Sequence, residues 1–214
     1  MPFIVAVSGF KNSGKTTLCK KLLLELKAAG MKTGYIKHTS GEVIASPHDT
    51  DTGEMLAVAG RAVYWGCDGV RIESKMPFGA ENAAYVASSY FPDADIVLLE
   101  GGKETVLPKI WVCSEGGGPE NYPGIFMIYD RFSQGDEKNV FGAGSEGVMA
   151  QKLRVLADEA ANKSAAVFIG GKPLPMKGFV ADFLSGGILG MLASLKGWTQ
   201  TDEPISVYLR KRRD

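Results

Sequence analysis

Residues 3–29 read FIVAVSGFKNSGKTTLCKKLLLELKAA, and this stretch decides the fold of the chain. Its first five residues form a continuous apolar run, which is typical of a strand buried on both faces of a sheet. Residues 14–29 then change to a helical period, because Leu18, Leu22 and Leu26 recur every four residues with charged side chains between them. The sequence therefore predicts a buried strand, a glycine-rich turn and an amphipathic helix in direct succession.

The turn carries a phosphate-binding pattern. Residues 9–16, GFKNSGKT, match G-x-x-x-x-G-K-[ST] without a mismatch. Gly9 and Gly14 permit backbone angles that point successive N–H groups inward, and the start of the helix adds its partial positive charge. Lys15 supplies a charge for the β- and γ-phosphates, and the Thr16 hydroxyl is placed to ligate Mg²⁺. We interpret the stretch as a nucleoside triphosphate site rather than a strand–helix turn without a ligand.

The remaining periodicity predicts an α/β fold of the P-loop NTPase class, with a mostly parallel sheet flanked by helices. Predicted strands cover residues 32–37, 62–65, 70–73, 95–100, 109–112 and 125–129, and predicted helices cover 52–59, 80–91 and 148–162. We expect a nucleotide-binding domain over residues 1–163 and a small strand–helix–strand extension over 164–214. Within that extension the predicted elements are strand 167–169, helix 179–195 and a closing strand 205–210. The apolar stripe of this last helix fits either packing on the sheet or a dimer contact.

Further site residues are expected at the carboxyl ends of the strands, where ligands bind in open α/β sheets. Glu100 ends the strand DIVLLE and is the candidate to hold the metal or orient an attacking water, the alternative being an acid that faces solvent. Lys37 and His38 end the second strand at the same edge, and Asp51 follows in a loop that is placed to sense the γ-phosphate. The pattern around His38 is equally compatible with a role in the site and with a hydrogen-bonded structural role. His38 and His48 are too isolated in the sequence to indicate a zinc site.

Bulk composition limits the classes of partner. The chain of 214 residues has 24 Lys plus Arg and 24 Asp plus Glu, so its net charge predicts binding neither to nucleic acid nor to an anionic membrane. Its three cysteines lie far apart, which fits free thiols in a reducing cytoplasm. The sequence shows no signal peptide and no apolar run near the roughly 18 residues of a membrane span. We therefore expect a cytoplasmic protein.

Several sequence blocks together resemble the MobB family of molybdopterin-guanine dinucleotide biosynthesis. In chain order they are the phosphate-binding loop through Thr17, IKHT at 36–39, AGRA at 59–62, EGGK at 100–103, PKI at 108–110, and GKPLP at 171–175 through LKG at 195–197. The resemblance implies a GTP-binding homodimer with weak, Mg²⁺-dependent GTPase activity. It also implies that the protein assists a guanylyltransferase partner in attaching a guanine nucleotide to molybdopterin.

Carried onto this chain, the resemblance assigns roles to individual residues. It implies that the nucleotide is bound by Gly9, Asn12, Ser13, Gly14, Lys15, Thr16, Thr17 and Asp51. Thr16 and Glu100 would bind the metal. Glu100, Lys37 and His38 would take part in hydrolysis. Three departures accompany it. SGEV at 40–43 stands where the family has a histidine-rich stretch, Gly102 replaces an aromatic residue, and the spacing from Asp51 to residues 59–60 is one residue longer.

The residues themselves do not distinguish GTP from ATP. The string nearest to a guanine-reading Asn-Lys-x-Asp motif is NKSA at 162–165, which lacks the acid. A small-molecule kinase is one alternative, although Arg61, Arg71 and Arg131 are too scattered to form an arginine-rich lid. A metallocentre-maturation GTPase is another, although the Cys/His clusters expected near its phosphate-binding loop do not occur.

Overall fold

The computed structural model describes residues 1–39, 41, 46–74, 80–115, 118–119, 121–133, 138–161, 164–169, 172–201 and 203–209. The chain divides into two compact units, one of Met1–His38 with Ala80–Asp214 and one of Thr39–Gly79. The strands are β1 Phe3–Ser8, β2 Thr33–Lys37, β3 Arg61–Gly66, β4 Gly69–Ser74, β5 Ile96–Glu100, β6 Lys109–Val112, β7 Ile125–Tyr129, β8 Val140–Phe141, β9 Phe168–Ile169 and β10 Lys172–Pro173. The helices are α1 Lys15–Ala28, α2 Asp51–Ala59, α3 Ala80–Tyr90, α4 Glu146–Ala161 and α5 Gly178–Ala193.

The larger unit is built on a six-stranded sheet in the order β2-β5-β1-β6-β7-β8. Every neighbouring pair in this sheet is parallel. The register sets Val7 and Lys37 on either side of Glu100, and Ser8 beside Trp111. The carboxyl ends of the strands therefore meet at one edge, and this edge carries the loop between β1 and α1.

Helices α1 and α4 cover one face of the sheet and form the main core with it. Leu18, Leu22 and Leu26 of α1 are buried, and they share a cluster with Met149 and Leu153 of α4. Burying one such side chain contributes about 2 kcal/mol. This face fixes the position of α1, and hence of the loop that precedes it.

A polar cluster at the start of α4 ties that helix to α1 and to β7. The Glu146 carboxylate is buried and accepts hydrogen bonds from Lys21 Nζ at 2.7 Å, Tyr129 Oη at 2.8 Å and Gly144 N at 2.9 Å. Burial alone would raise the pKa of Glu146, but the Lys21 ammonium, the backbone and the Tyr129 hydroxyl outweigh it and lower the pKa to about 2. Charge-assisted hydrogen bonds in this cluster thus connect α4 to α1.

The smaller unit contains α2 and an antiparallel hairpin of β3 and β4. Thr50 caps α2, because its hydroxyl accepts a hydrogen bond from Gly53 N at 3.2 Å. Glu73 of β4 accepts hydrogen bonds from the backbone N and the hydroxyl of Ser46, at 3.0 and 2.9 Å, and pairs with Arg71 Nε at 3.0 Å. The predicted helix 52–59 and strands 62–65 and 70–73 are confirmed in this unit.

The predicted α/β fold is confirmed, and the differences lie in the carboxyl-terminal half of the chain. β8 was not predicted, and the predicted closing strand over 205–210 is wrong, since residues 205–209 form no strand and residue 210 lies outside the described residues. An apolar segment becomes a strand only where a neighbouring strand offers hydrogen bonds. The extension instead consists of the antiparallel pair β9–β10 followed by α5.

Within the described ranges, no helix combines the length and the apolar character needed to cross a membrane. The domain boundary at 163/164 stays a prediction.

Candidate functional site

The loop between β1 and α1 has the backbone that its glycines predict. Gly14 is the residue before α1 and adopts φ 95°, a left-handed conformation that favours glycine. Gly9 lies so close to β6 that a Cβ atom there would come within 2.4 Å of the Val112 carbonyl oxygen. Both glycines of the pattern are therefore required, one by backbone conformation and the other by the neighbouring strand.

Two side chains of the loop have polar groups suited to an anion. Ser13 is buried, and none of the described residues forms a hydrogen bond with its hydroxyl. The Lys15 ammonium donates to the carbonyl oxygen of Phe10, a residue of the same loop, at 2.5 Å. Burial lowers the pKa of Lys15, and the nearby Glu100 charge opposes this effect. The Ser13 hydroxyl and the Lys15 ammonium are therefore both suited to bind phosphate oxygens.

Glu100 is the centre of a second group at the same edge of the sheet. Only 5% of its surface is exposed, so the alternative of an acid facing solvent is wrong. Thr16 donates its hydroxyl to Oε1 at 2.9 Å, and the Tyr35 hydroxyl donates to Oε2 at 2.6 Å. Lys37 Nζ lies 3.7 Å from Oε1. The structure therefore brings together the loop residue Thr16 with Glu100 and Lys37, as the sequence predicts.

The chain that follows Glu100 is held tightly enough to fix the carboxylate. Gly101 has φ 104°, and a Cβ atom there would lie 2.5 Å from the carbonyl oxygen of His38. The Ser8 hydroxyl donates to Gly101 O at 2.6 Å. His38 N donates to Glu100 O at 2.8 Å, so the backbone of His38 helps to hold the end of β5. Glycine is therefore required at position 101, because the backbone of His38 leaves no room for a side chain there.

A buried lysine organises the loop that leads from Glu100 into β6. Lys109 is fully buried, and its ammonium donates to the carbonyl oxygens of Lys103 at 2.9 Å, Thr105 at 2.7 Å and Pro123 at 2.9 Å. Burial lowers the pKa of this lysine. Its three hydrogen bonds join the β5–β6 loop to the β6–β7 loop, and both loops flank the candidate site.

Tyr35 is the site residue that the sequence did not reveal. Burial and the hydrogen bond to Glu100 raise the pKa of its hydroxyl above the ordinary value, which keeps it a donor. An aromatic residue in a strand usually indicates a core position, so its type gave no signal. Tyr35 and Lys37 are two residues apart on β2 and therefore share a face, but the pairing of β2 with β5 that brings both to Glu100 is not visible in this spacing.

The remaining predicted site residues are placed as follows. Asn12 and Thr17 are exposed, and Asn12 has φ 63°. Asp51 is the first residue of α2 in the smaller unit, and its part in nucleotide binding stays a prediction. Among the described residues, no three His, Cys, Asp or Glu side chains gather as a metal site. Thr16 and Glu100 nevertheless supply two oxygen ligands of the kind Mg²⁺ prefers, and Mg²⁺ takes its other ligands from water and phosphate.

Comparison with known proteins places the chain in a family. The family model described as molybdopterin guanine dinucleotide synthesis protein B, MobB, matches residues 4–124. The chain belongs to the MobB family. The matched region includes the phosphate-binding loop, Glu100 and Lys109, so the contacts of the candidate site lie within the part of the chain that matches the MobB model.

Individual relatives agree with this assignment. A protein of Methanocaldococcus jannaschii is 30% identical over 121 residues, and the match covers 55% of this chain and 50% of that protein. A molybdopterin-guanine dinucleotide biosynthesis adapter protein of Haemophilus influenzae is 29% identical over 111 residues, covering 50% and 61%. This chain therefore spans only half to three fifths of these two relatives. The crystal structure of Bacillus subtilis MobB superposes with a TM-score of 0.53 at 24% identity, over 72% of this chain and 97% of that one, which supports the fold.

Proposed function

We propose that this chain binds GTP together with Mg²⁺ and acts as an adapter in molybdopterin-guanine dinucleotide biosynthesis. The observation that carries the proposal is the 2.9 Å hydrogen bond between Thr16 and Glu100. It joins the first turn of α1 to the end of β5 at the edge of the sheet where ligands bind. Membership of the MobB family supports the biosynthetic role.

The triphosphate would be held by the loop and the start of α1. The backbone N–H groups of residues 9–17 and the positive end of the α1 dipole would face the phosphates. The unpartnered Ser13 hydroxyl would gain an acceptor, and Lys15 would exchange the Phe10 carbonyl for phosphate oxygens. Both changes replace a weak or absent interaction with a charge-assisted one, which favours binding.

Slow hydrolysis of GTP is part of the proposal. Bound Mg²⁺ neutralises charge on the phosphate oxygens in such sites. Thr16 and Glu100 would hold it, Tyr35 would orient the Glu100 carboxylate through their 2.6 Å hydrogen bond, and Lys37 would add positive charge. His38 lies next to these groups, with its backbone bonded to Glu100.

We further propose that the chain works as a cytoplasmic homodimer beside a guanylyltransferase that acts on molybdopterin. The Haemophilus influenzae relative is named an adapter protein, which supports a protein partner for this chain. Helix α5 supports self-association, because Ala181 is its only buried residue while Phe179 and Phe183 are 70% and 79% exposed. Cys19, Cys67 and Cys113 lie far apart in the sequence, and this pattern supports a reducing compartment.

Substitution of Lys15 tests the phosphate site directly. We expect Lys15→Ala to weaken Mg²⁺–GTP binding at least tenfold, because the variant loses a charge-assisted contact to phosphate. Titration calorimetry measures the affinity, and thermal unfolding confirms that the variant is folded. Lys20→Ala is the matched control, since Lys20 is an exposed lysine on the same helix. Equal affinities of the Lys15 and Lys20 variants would show that GTP does not bind at this loop.

A further inference from the structure

Helix α5 is apolar along its whole length, although most of it lies at the surface. Its sequence over residues 178–193, GFVADFLSGGILGMLA, contains one charged residue, Asp182. The Asp182 carboxylate accepts a hydrogen bond from Ser164 Oγ at 2.5 Å. Of the described residues in this helix, Ala181 alone is buried. A helix without a broad polar face is normally covered by other protein, so the exposed surface of α5 is available to a second molecule.

The helix has an inner and an outer stripe of residues. The inner stripe recurs every four residues, is half-buried and faces the chain itself; it consists of Val180, Leu184, Ile188 and Leu192. The outer stripe has successive spacings of four, three and four residues, which place its members on one face of the helix, roughly opposite the inner stripe. It is fully exposed and consists of Phe179, Phe183, Gly186 and Gly190.

The outer stripe has a bulky half and a small half. Phe179 and Phe183 lie one turn apart in its amino-terminal half, and Gly186 and Gly190 lie one turn apart in its carboxyl-terminal half. Glycine is unfavourable inside a helix. A Cβ atom at either glycine would have no described atom within 4 Å, so packing within the described chain does not require glycine there. Close approach of another molecule would require it.

We propose that α5 packs antiparallel against α5 of a second copy of this chain. The inference rests on the homodimer of the proposed function and specifies its interface. A two-fold axis brings the same surface of two copies together. If the axis passes midway between residues 183 and 186, Phe183 of one copy meets Gly186 of the other. Phe179 then meets Gly190, because this pair is centred on the same point of the helix.

The exposed area of the outer stripe supports a second copy as the occupant. Burying a Phe side chain removes about 200 Å² from water, so Phe179 and Phe183, at 70% and 79% exposure, supply on the order of 600 Å² in two copies. This is about half of the ~1,200 Å² at the lower end of stable interfaces. Leu189 and Met191 are also exposed and lie to either side of the stripe, where they would add to the buried area.

The charge of α5 also favours a second copy. Two identical surfaces place like charges near one another, which disfavours self-association of a charged helix. The one charge of α5, on Asp182, is hydrogen-bonded within its own chain. Helices that lie on a membrane surface typically carry Lys and Arg on their polar face, and α5 contains neither residue.

Exchanging the large and small residues tests this pairing. Phe183→Ala and Gly186→Phe should each raise the dissociation constant of the dimer at least about tenfold, because one leaves a gap and the other sets two rings against each other. The double variant exchanges both contacts, so its constant should return to within about threefold of the unsubstituted value. Sedimentation equilibrium of the full chain measures the constant, and circular dichroism confirms folding. Phe132→Ala is the matched control and should leave the constant unchanged, because Phe132 is exposed and lies outside the extension.

The outcomes separate this inference from the homodimer itself. Weaker dimers of both single variants, with recovery in the double variant, would establish the antiparallel pairing. Dimers whose variants all dissociate like the unsubstituted chain would overturn the inference and leave the homodimer in place. Weakening without recovery in the double variant would overturn the antiparallel arrangement. A monomeric unsubstituted chain would overturn the inference and the homodimer together, and Phe183-dependent binding of that monomer to phosphatidylcholine–phosphatidylglycerol vesicles would show that a membrane covers α5 instead.

Discussion

Replacing Glu146 by glutamine should remove a pH-dependent part of the stability of the fold. Its hydrogen bonds to Lys21 and Tyr129 outweigh its burial and lower the pKa of the carboxyl from 4.5 to about 2. The side chain is only 9% exposed, so solvent screening is small. At about 1.36 kcal/mol for each pKa unit, this interval corresponds to about 3 kcal/mol. Because the folded pKa lies below the unfolded value, the contribution is complete above pH 4.5 and disappears as the pH falls through 2.

Urea unfolding at several pH values measures this contribution. The stability difference between the unsubstituted protein and Glu146→Gln should be about 2 kcal/mol larger at pH 7 than at pH 3. Glu159→Gln is the matched control, since Glu159 is exposed on the same helix. A difference for Glu146→Gln that is the same at both pH values would contradict this prediction, because the carboxylate would then titrate alike in the folded and unfolded states.

Two further substitutions test the site and its support. Glu100→Gln should slow GTP hydrolysis at least tenfold with little loss of GTP affinity, as measured by phosphate release and by calorimetry. Glu104→Gln is the control, because Glu104 is exposed. Equal losses of hydrolysis and affinity would show that Glu100 has a structural role. Lys109→Met should lower the free energy of unfolding by about 3 kcal/mol, because the carbonyl oxygens of Lys103, Thr105 and Pro123 lose their donor. Thermal unfolding measures this loss of stability, and Lys103→Met is the control because Lys103 is exposed. Equal stability of the two variants would contradict the prediction.

The strands of the central sheet were predictable where the sequence alone determines them. Residues of β1 and β5 are apolar almost without interruption, as required of strands buried on both faces. β8 consists of only two residues, Val140 and Phe141, which is too short for any period to show. The order of the strands and the absence of a strand at 205–209 depend on pairing partners distant in the chain, which local patterns do not reveal.

The candidate site was predictable to the extent that its chemistry has a sequence pattern. Gly9, Gly14 and Lys15 follow from such a pattern, and Glu100 follows from its place at the end of an apolar strand. Tyr35 was missed because its role depends on the burial of Glu100 and on the pairing of β2 with β5. The parts of a site that depend on which strands become neighbours therefore appear only in the folded structure.

Titration of the chain with GTP and with ATP, side by side in the presence of Mg²⁺ and with or without molybdopterin, shows whether the chain is a GTP-binding protein. We expect Mg²⁺-dependent binding that is at least about tenfold tighter for GTP than for ATP, because the proposed function assigns the site to GTP. Equal or tighter binding of ATP would contradict the assignment as a GTP-binding adapter, even if the phosphate-binding loop itself proved functional.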